Sequence, residues 1–410
     1  MNIIDLFSGA GGLTFGFYYR KKGNSFVHNN QNHFLFANEF DKNAAQAFSD
    51  NYPDIHMVNR DIRKLKSEEI LQLIGNNLVD LIIGGPPCQS YSTVGKRLYD
   101  EKARMFKEYL RIIKITKPKM FLFENVRGIL SMREIFYKKD ENGNILYEQI
   151  KKKNKTINQP IVDHYGDLII NKIKKVFSKV DRDLEYKISC KTLNASAFGV
   201  PENRERVFIV GVRSDIEQDW VYPEPLDSTP ISVSQAISDL PLLNEGENIQ
   251  SYTQNPCNDY QRLMRGSNNT LTQHYCGVYG DKIRTVIKNV AQGQGKNDFN
   301  KLVDDGKIDE KYRLTSGYGN TYGRLIESSP SPTITNNLST PSSLRCIHYN
   351  QNRALSPREG ARIQSFPDWF KFFGGKDDVT MQIGNAVPPL LALELSKQIE
   401  KILKREIEHE

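Results

Sequence analysis

One cysteine stands in a loop whose composition favours chemistry over packing. Cys88 follows two glycines and two prolines (84–87), which come directly after the apolar run 79–83. Cysteine is among the most buried residue types, so a packing role is the alternative. Two glycines and two prolines instead make a stiff turn that presents the side chain. As a thiolate, Cys88 would be a strong, soft nucleophile, and we predict that role.

A glutamate ends a second apolar run, 119–124. If this run is a neighbouring parallel strand, Glu124 lies near Cys88 and is partly desolvated. Desolvation raises the pKa of a carboxyl group, which suits a group that must hold or share a proton with its substrate. The alternative is a glutamate that caps a helix.

A glycine turn near the start of the chain indicates a nucleoside site. Residues 5–12 run from a strand-like stretch through Gly9, Gly11 and Gly12. Thr14 stands where a dinucleotide-binding G-x-G-x-x-G motif would place its last glycine, so the predicted ligand is a nucleoside without a pyrophosphate. A purely structural strand-turn-helix is the alternative.

Two acidic residues close the next strand-like runs. Glu39 follows the run 33–38, where a carboxylate can accept both ribose hydroxyls. Asp61 follows a third strand and could accept an adenine amino proton. Alone, each would more often be a helix cap or a surface charge. Together with the glycine turn, they favour a nucleoside pocket.

Two arginines and an asparagine are further candidates. Arg204 and Arg206 alternate as the chain becomes extended, so they share one face and could hold a phosphate or a base carbonyl. Ordinary surface arginines are the alternative. Asn385 precedes a helix opened by Pro388 and Pro389, as a cap, a ligand contact or both.

The elements that must position these residues alternate between strands and helices. Near-continuous apolar runs predict strands of a doubly covered parallel sheet at 2–7, 33–38, 79–83 and 119–124, with helices at 41–51, 67–75 and 103–116. This alternation predicts an α/β doubly wound, mostly parallel sheet, whose ligands lie beyond the carboxyl ends of the strands. Later regular segments are a helix near 167–180, strands at 185–190 and 206–212, and a helix at 387–406.

The chain divides into three parts that differ in composition and in sequence pattern. Residues 1–213 follow the strand-helix pattern, 214–365 are proline- and glycine-punctuated with short, turn-rich pieces, and 366–410 return to clear pattern. We expect the middle part to be a smaller, irregular domain. A lysine-rich stretch, 138–159, is interpreted as an exposed insertion, with contact to phosphates as the alternative.

Composition limits the class of protein. The 410 residues carry 56 lysines and arginines against 49 acidic residues, a formal charge of +7 that is compatible with a polyanionic partner. Five scattered cysteines signal neither a disulfide framework nor a zinc site. Neither a signal peptide nor an apolar run of the roughly 20 residues that a membrane span needs is visible. We expect a cytoplasmic protein with no membrane contact.

The ordered set of motifs resembles the DNA (cytosine-5) methyltransferases, especially the bacterial restriction-modification type. A further matching block is 353–362, with Phe366-Pro367-Asp368 behind it. The resemblance covers roughly 1–213 and 320–410. It implies a class I S-adenosylmethionine-dependent, Rossmann-like fold with a smaller β-rich target-recognition domain, here 214–365. Methylation of cytosine C5 in a specific duplex DNA sequence is the implied activity.

The resemblance also implies roles for single residues. Cys88 would attack C6 of a flipped-out cytosine, Glu124 would contact N3 and the amino group, and Arg206 with Arg204 would steady the base. Residues implied to bind S-adenosylmethionine are Phe7, Gly9, Gly11, Gly12, Leu13, Glu39, Asp61, Pro87, Asn385 and Val387. Residues implied to bind DNA are Gln89, Ser92 and Arg97. No metal is implied; the implied partners are double-stranded DNA and a possible cognate restriction endonuclease, and the implied state is a monomer on the nucleoid.

Three alternatives compete with this hypothesis. A tRNA cytosine methyltransferase shares the motif pattern but would not need so long a variable segment. A catalytically inactive DNA-binding module is opposed by the intact Cys88 and Glu124. A dinucleotide-dependent dehydrogenase is opposed by Thr14 and by the Pro-Pro-Cys turn. Methylation of DNA against tRNA, and binding of S-adenosylmethionine against a nicotinamide nucleotide, would separate them.

Overall fold

A computed structural model describes residues 1–87, 105–152 and 155–407. Its strands, in chain order, are β1 (Asn2–Leu6), β2 (Tyr19–Lys22), β3 (Ser25–His28), β4 (His33–Glu39), β5 (Met57–Asn59), β6 (Leu81–Gly84), β7 (Met120–Val126), β8 (Arg133–Tyr137), β9 (Tyr147–Lys152), β10 (Lys155–Pro160), β11 (Val162–Leu168), β12 (Lys179–Asp181), β13 (Leu184–Asn194), β14 (Glu202–Asn203), β15 (Glu205–Arg213) and β16 (Ser331–Pro332). Its helices are α1 (Gly12–Tyr18), α2 (Lys42–Asn51), α3 (Ser67–Ile74), α4 (Phe106–Thr116), α5 (Ile169–Ser178), α6 (Val233–Ile237), α7 (Asp259–Arg265), α8 (Asp281–Lys288), α9 (Lys296–Asp304), α10 (Pro357–Ile363), α11 (Lys376–Asn385) and α12 (Pro389–Ile407). Within these ranges, no helix is both long and apolar enough to cross a bilayer.

An eight-stranded sheet is the centre of the molecule, in the order β12-β13-β15-β7-β6-β1-β4-β5. The five strands from β7 to β5 are parallel, whereas β15, β13 and β12 extend the sheet antiparallel. Strand residues of alternating parity pack against α1, α2 and α12 on one face and against α3, α4 and α5 on the other. The predicted doubly wound, mostly parallel α/β sheet is therefore confirmed.

The register of the sheet aligns the ends of four strands. Leu6 pairs with Asn38 and with Gly84, and Gly84 pairs with Phe123. Because parallel strands end at one edge, the residues that follow these four must share that edge. They are Phe7, Glu39, Gly85 and Glu124.

The lysine-rich stretch predicted as an exposed loop instead contains strands. β9 pairs antiparallel with β10, and β8 with β11. Ile150 lies opposite Ile157 across the first pair, and β-branched cross-strand pairs of this kind stabilise hairpins. The prediction of an exposed surface holds for most of the residues of 138–159 whose side chains the structure describes.

The part predicted as an irregular domain consists of short elements joined by long turn-rich segments. Residues 214–365 contain the five short helices α6 to α10, the two-residue β16 and several isolated bridges. Further β-strands outside the large sheet lie at 133–168. Proline and glycine interrupt 214–365 so often that its extended pieces pair over only one or two residues.

A buried arginine fastens the middle part to the rest of the protein. Arg362, on α10, forms ion pairs of 2.6 Å with both Asp239 and Asp368, and all three side chains are fully buried. Asp239 follows α6, and Asp368 follows α10. The block 353–362 therefore joins the segment after α6 to the segment after α10 through buried charges.

Candidate active site

The glycine turn after β1 is tight because of what packs on it. The hydroxyl of Tyr52 donates to the carbonyl of Gly11 at 2.6 Å, and a Cβ on Gly11 would lie 2.2 Å from the Tyr52 ring. A Cβ on Gly12 would lie 2.4 Å from the carbonyl oxygen of Val387. Only glycine permits both approaches, so the turn after β1 meets the segment before α12.

Two acidic side chains flank this turn, and each is already held. Glu39 accepts hydrogen bonds of 2.8 Å from the backbone amides of Gly9 and Asp41. Burial raises the pKa of Glu39, and these amides oppose the rise. Asp61 accepts from the Arg63 guanidinium at 2.7 Å, and that contact lowers the pKa of Asp61.

A cavity of about 530 Å³ opens at the carboxyl edge of the sheet. Its lining joins the end of β1 and the end of β4 to the segment that connects α11 and α12. The predicted residues that line it are Phe7, Gly9, Gly12, Leu13, Glu39, Asp61, Pro87, Glu124, Asn385 and Val387. Gly11 is not among them, because it faces Tyr52 instead.

At the far end of the cavity, the lining residue Glu124 contacts Arg206, which does not itself line the cavity. Glu124 is 8% exposed, and its Oε1 lies 3.0 Å from Nε of Arg206. Burial raises the pKa of Glu124, while the charges of Arg206 and Arg204 oppose the rise. The amide of Asn125 donates to the carbonyl of Pro86 at 3.2 Å. The loop 85–87 is therefore held beside Glu124.

This arrangement agrees with what sequence and structure comparisons find. The family model of C-5 cytosine-specific DNA methylases matches residues 1–152 and 159–401. The chain belongs to the C-5 cytosine-specific DNA methylase family. It is a DNA (cytosine-5) methyltransferase that uses S-adenosylmethionine.

Individual relatives are similar over nearly the whole length. Type II methyltransferase M1.HphI of Haemophilus parahaemolyticus is 30% identical over 98% of this chain and 87% of its own. Type II methyltransferase M.DdeI of Desulfomicrobium norvegicum is 31% identical over 97% of this chain and 88% of its own. A prophage-encoded E. coli structure described as a DNA modification methyltransferase shares the fold, with a TM-score of 0.69, 24% identity and coverage of 98% and 99%. Membership in this family removes the dehydrogenase alternative.

One predicted catalytic residue of the methyltransferase is placed differently from expectation. Arg204 is 0% exposed, and its guanidinium donates to the carbonyls of Ile334, Gly384 and Ala386 at 2.7 to 3.0 Å. Its neighbour Glu202 lies 3.5 Å away. Arg204 therefore holds the segment around Asn385 in place, and it does not line the cavity as Glu124 does.

Four predicted residues lie outside the described part of the methyltransferase: Cys88, Gln89, Ser92 and Arg97. Pro87, which directly precedes Cys88 in the sequence, lines the cavity. Sequence reasoning missed other lining residues, notably Asp5, Phe40, Arg63, Met105, Met381 and Gln382. Asp5 and Phe40 could have been predicted because they lie close to Phe7 and Glu39 in the sequence. Met381 and Gln382 could have been predicted because they precede Asn385 by about one helical turn.

Proposed function

We propose that the methyltransferase acts through a covalent bond between Cys88 and C6 of a cytosine flipped out of duplex DNA. One observation carries the proposal. Pro87 and Glu124 line the same cavity as Phe7 and Glu39, so a residue next to the cysteine and a buried carboxyl group share a space with a nucleoside site.

The cavity residues fit S-adenosylmethionine. Asp5 is fully buried, lines the cavity, and its Oδ1 has no hydrogen-bond partner among the described residues. That oxygen suits the amino group of the methionine moiety. Phe7 and the exposed ring of Phe40 offer apolar surfaces to adenine, Glu39 suits the ribose hydroxyls, and Asp61 suits the adenine amine.

The remaining contacts close around the methionine part. The turn from Gly9 through Gly12 to Leu13 would surround it, and Asn385 and Val387 would complete the pocket. Gly11 shapes the turn through Tyr52 without lining the cavity. Bound S-adenosylmethionine supplies an electrophilic methyl group.

The chain's own residues would carry the other steps. The Cys88 thiolate adds to C6 and forms a C–S bond, which makes C5 nucleophilic. Glu124 binds N3 and the exocyclic amino group as charge enters the ring, and Arg206 keeps Glu124 in place. After C5 takes the methyl group and leaves S-adenosylhomocysteine behind, transfer of the C5 proton to water, acting as the base, restores the C5–C6 double bond and expels the Cys88 thiolate.

Base flipping requires compensation from contacts along the DNA. Extruding a base costs a few kcal/mol, and phosphate contacts offset it in a salt-dependent way. We assign such contacts to Gln89, Ser92 and Arg97, which follow Cys88. We assign reading of base edges in the major groove to 214–365, with candidate loops at 293–295 and 317–322. Residues 366–410 return to the catalytic domain formed by 1–213.

We infer that the enzyme is the modification half of a restriction-modification system. The supporting finding is similarity to type II methyltransferases over nearly the whole chain. A cognate endonuclease would then act on the same site, and the enzyme would work as a monomer on nucleoid DNA. Exchange of residues 214–365 for the matching segment of a relative should change the methylated motif. An unchanged motif would refute the assignment of this segment.

Trapping on modified DNA tests the covalent step. Duplex DNA containing 5-fluorocytosine at the target should yield a stable complex on denaturing gels, because fluorine cannot leave as a proton does. Cys88→Ser should give no complex and no methyl transfer while S-adenosylmethionine still binds. Cys257→Ser, at an exposed free cysteine, is the matched control and should behave as wild type. An active Cys88→Ser enzyme would remove Cys88 from the mechanism.

A further inference from the structure

A buried arginine in the segment 214–365 has acceptors for all its N–H groups, and none of these acceptors among the described residues is a carboxylate. Arg324 is 9% exposed, and its five N–H groups make five hydrogen bonds of 2.7 to 2.8 Å. The acceptors are the carbonyls of Ile287, Val290, His348 and Gln351 and the side-chain oxygen of Asn352. Because the guanidinium is planar and its five N–H directions are fixed, the backbone segments that supply the five acceptors can take only one arrangement around it.

The backbone of Arg324 holds one of the candidate reading loops. Its carbonyl accepts from the amide of Gly293 at 3.0 Å, and its amide donates to the carbonyl of Gln294 at 3.1 Å. The second loop is joined to the first through Lys296. The amide of Lys296 donates to Thr321 at 2.8 Å, and its side chain donates to Gly317 at 3.1 Å.

Contacts of the Arg324 side chain lead from these loops to α10. It binds the turn 348–352, and Gln351 of that turn accepts from Nε of Arg353 at 3.0 Å. Arg353 forms a buried ion pair of 2.6 Å with Glu359 on α10. Because Arg362 of α10 pairs with Asp368, a continuous series of contacts runs from both loops through Arg324 and α10 to the segment 366–410.

We propose that Arg324 is a positioning residue for sequence recognition: it fixes the loops 293–295 and 317–322 against the turn 348–352 and so determines which base edges they meet. This rests on the proposed role of 214–365. The exposed ring of Tyr318, 60% exposed, stands on the second loop and is available to DNA. A lysine at position 324 would keep the charge but has only three donors on one nitrogen, so it cannot hold all five acceptors.

The test compares Arg324→Lys with Arg262→Lys, a control at an exposed arginine of the same segment that pairs with Asp259. Host DNA is mapped by bisulfite sequencing after expression, and kinetics are measured on plasmid DNA. We expect Arg324→Lys to raise the ratio of off-motif to motif methylation roughly tenfold. KM for DNA should rise, while kcat and S-adenosylmethionine binding stay close to wild type. The control should match wild type in all of these.

A milder variant covers the case in which Arg324→Lys does not fold. Asn352→Ala removes one of the five acceptors at an exposed residue and should relax the motif in the same direction. If Arg324→Lys folds and methylates a motif as strict as that of wild type, the proposal is overturned. If Arg324→Lys does not fold, the same result in a folded Asn352→Ala overturns it. Failure of the segment exchange to change the motif would instead remove the recognition role of 214–365, and this inference with it.

Discussion

Gly85 and Glu124 lie so close that no side chain fits between them: a Cβ on Gly85 would be 2.7 Å from Oε2 of Glu124. This places the loop before Cys88 directly against the buried carboxyl group at the end of β7. The glycine in that loop is therefore required by a specific contact.

Gly85→Ala should lower kcat by about 100-fold, because displacing a catalytic carboxylate by about 1 Å has costs of that size. The melting temperature should change little, since Gly85 has no positive φ. Steady-state methylation kinetics and thermal unfolding measure both. Gly277→Ala, with no atom within 4 Å of the added Cβ, is the control. Normal kcat in Gly85→Ala would show that Glu124 has room to move.

Substitution of Arg204 should chiefly lower stability, whereas substitution of Arg206 should chiefly lower catalytic rate. Arg204→Met leaves buried carbonyls and Glu202 without their partner, so the free energy of unfolding should fall by roughly 3–5 kcal/mol. Affinity for S-adenosylmethionine should also fall, because Arg204 holds both neighbours of Asn385. Arg206→Met should chiefly lower kcat. Urea unfolding, calorimetric binding and kinetics distinguish them; identical profiles for the two variants would contradict the assignment.

Asp5 should make cofactor binding depend on pH. Burial raises the pKa of Asp5 to about 8, so before the cofactor binds the carboxyl group holds a proton at pH 7. A cationic amino group beside it would lower that pKa, and binding would release the proton. Affinity for S-adenosylmethionine should therefore increase with pH, by up to roughly tenfold per unit between pH 6 and 7.5.

Calorimetry in buffers of different ionisation enthalpy would count the released proton. Asp5→Asn, which can still accept from Thr14, should bind with little pH dependence over the same range. A slope that persists in Asp5→Asn would assign the proton to another group.

Acid should destabilise the protein between pH 7 and 5. Burial lowers the pKa of His348 to about 4 and also lowers the pKa of His274. A histidine whose folded pKa lies below its unfolded value of about 6.5 contributes stability above pH 6.5, and this is lost as the pH falls towards the folded pKa.

Urea unfolding at pH 7 and pH 5 measures this loss. His348→Gln should reduce the difference between the two pH values, whereas His164→Gln, at an exposed histidine, should leave it unchanged. Equal pH dependence in wild type and His348→Gln would show that His348 is not responsible.

The parallel sheet was predictable because its strands are buried on both faces and so are apolar throughout. The residues that end these strands could be named for the same reason: Phe7, Glu39 and Glu124 occupy the expected edge. The short β2 and β3 pair and the β9 and β10 pair escaped prediction, since few apolar residues mark them. Their exposed, charged positions resemble those of loops.

The role of Arg204 could not be predicted for a different reason. Its partners come from residues 334, 384 and 386, which are far away in the chain and offer only backbone oxygens. A backbone acceptor has no signature in the sequence. The role of Gly11 could not be predicted either, because the ring that excludes a side chain there belongs to Tyr52, the residue that directly follows α2.

The approach of Gly12 to Val387 has a consequence for how the enzyme is made. The cavity combines backbone that precedes 214–365 with backbone that follows it, so a ribosome must synthesise residues 214–365 before the cavity can form. With the roles proposed for the cavity and for 214–365, a nascent chain gains the ability to methylate DNA only after its recognition segment has been made. We therefore expect incomplete chains to leave DNA unmethylated.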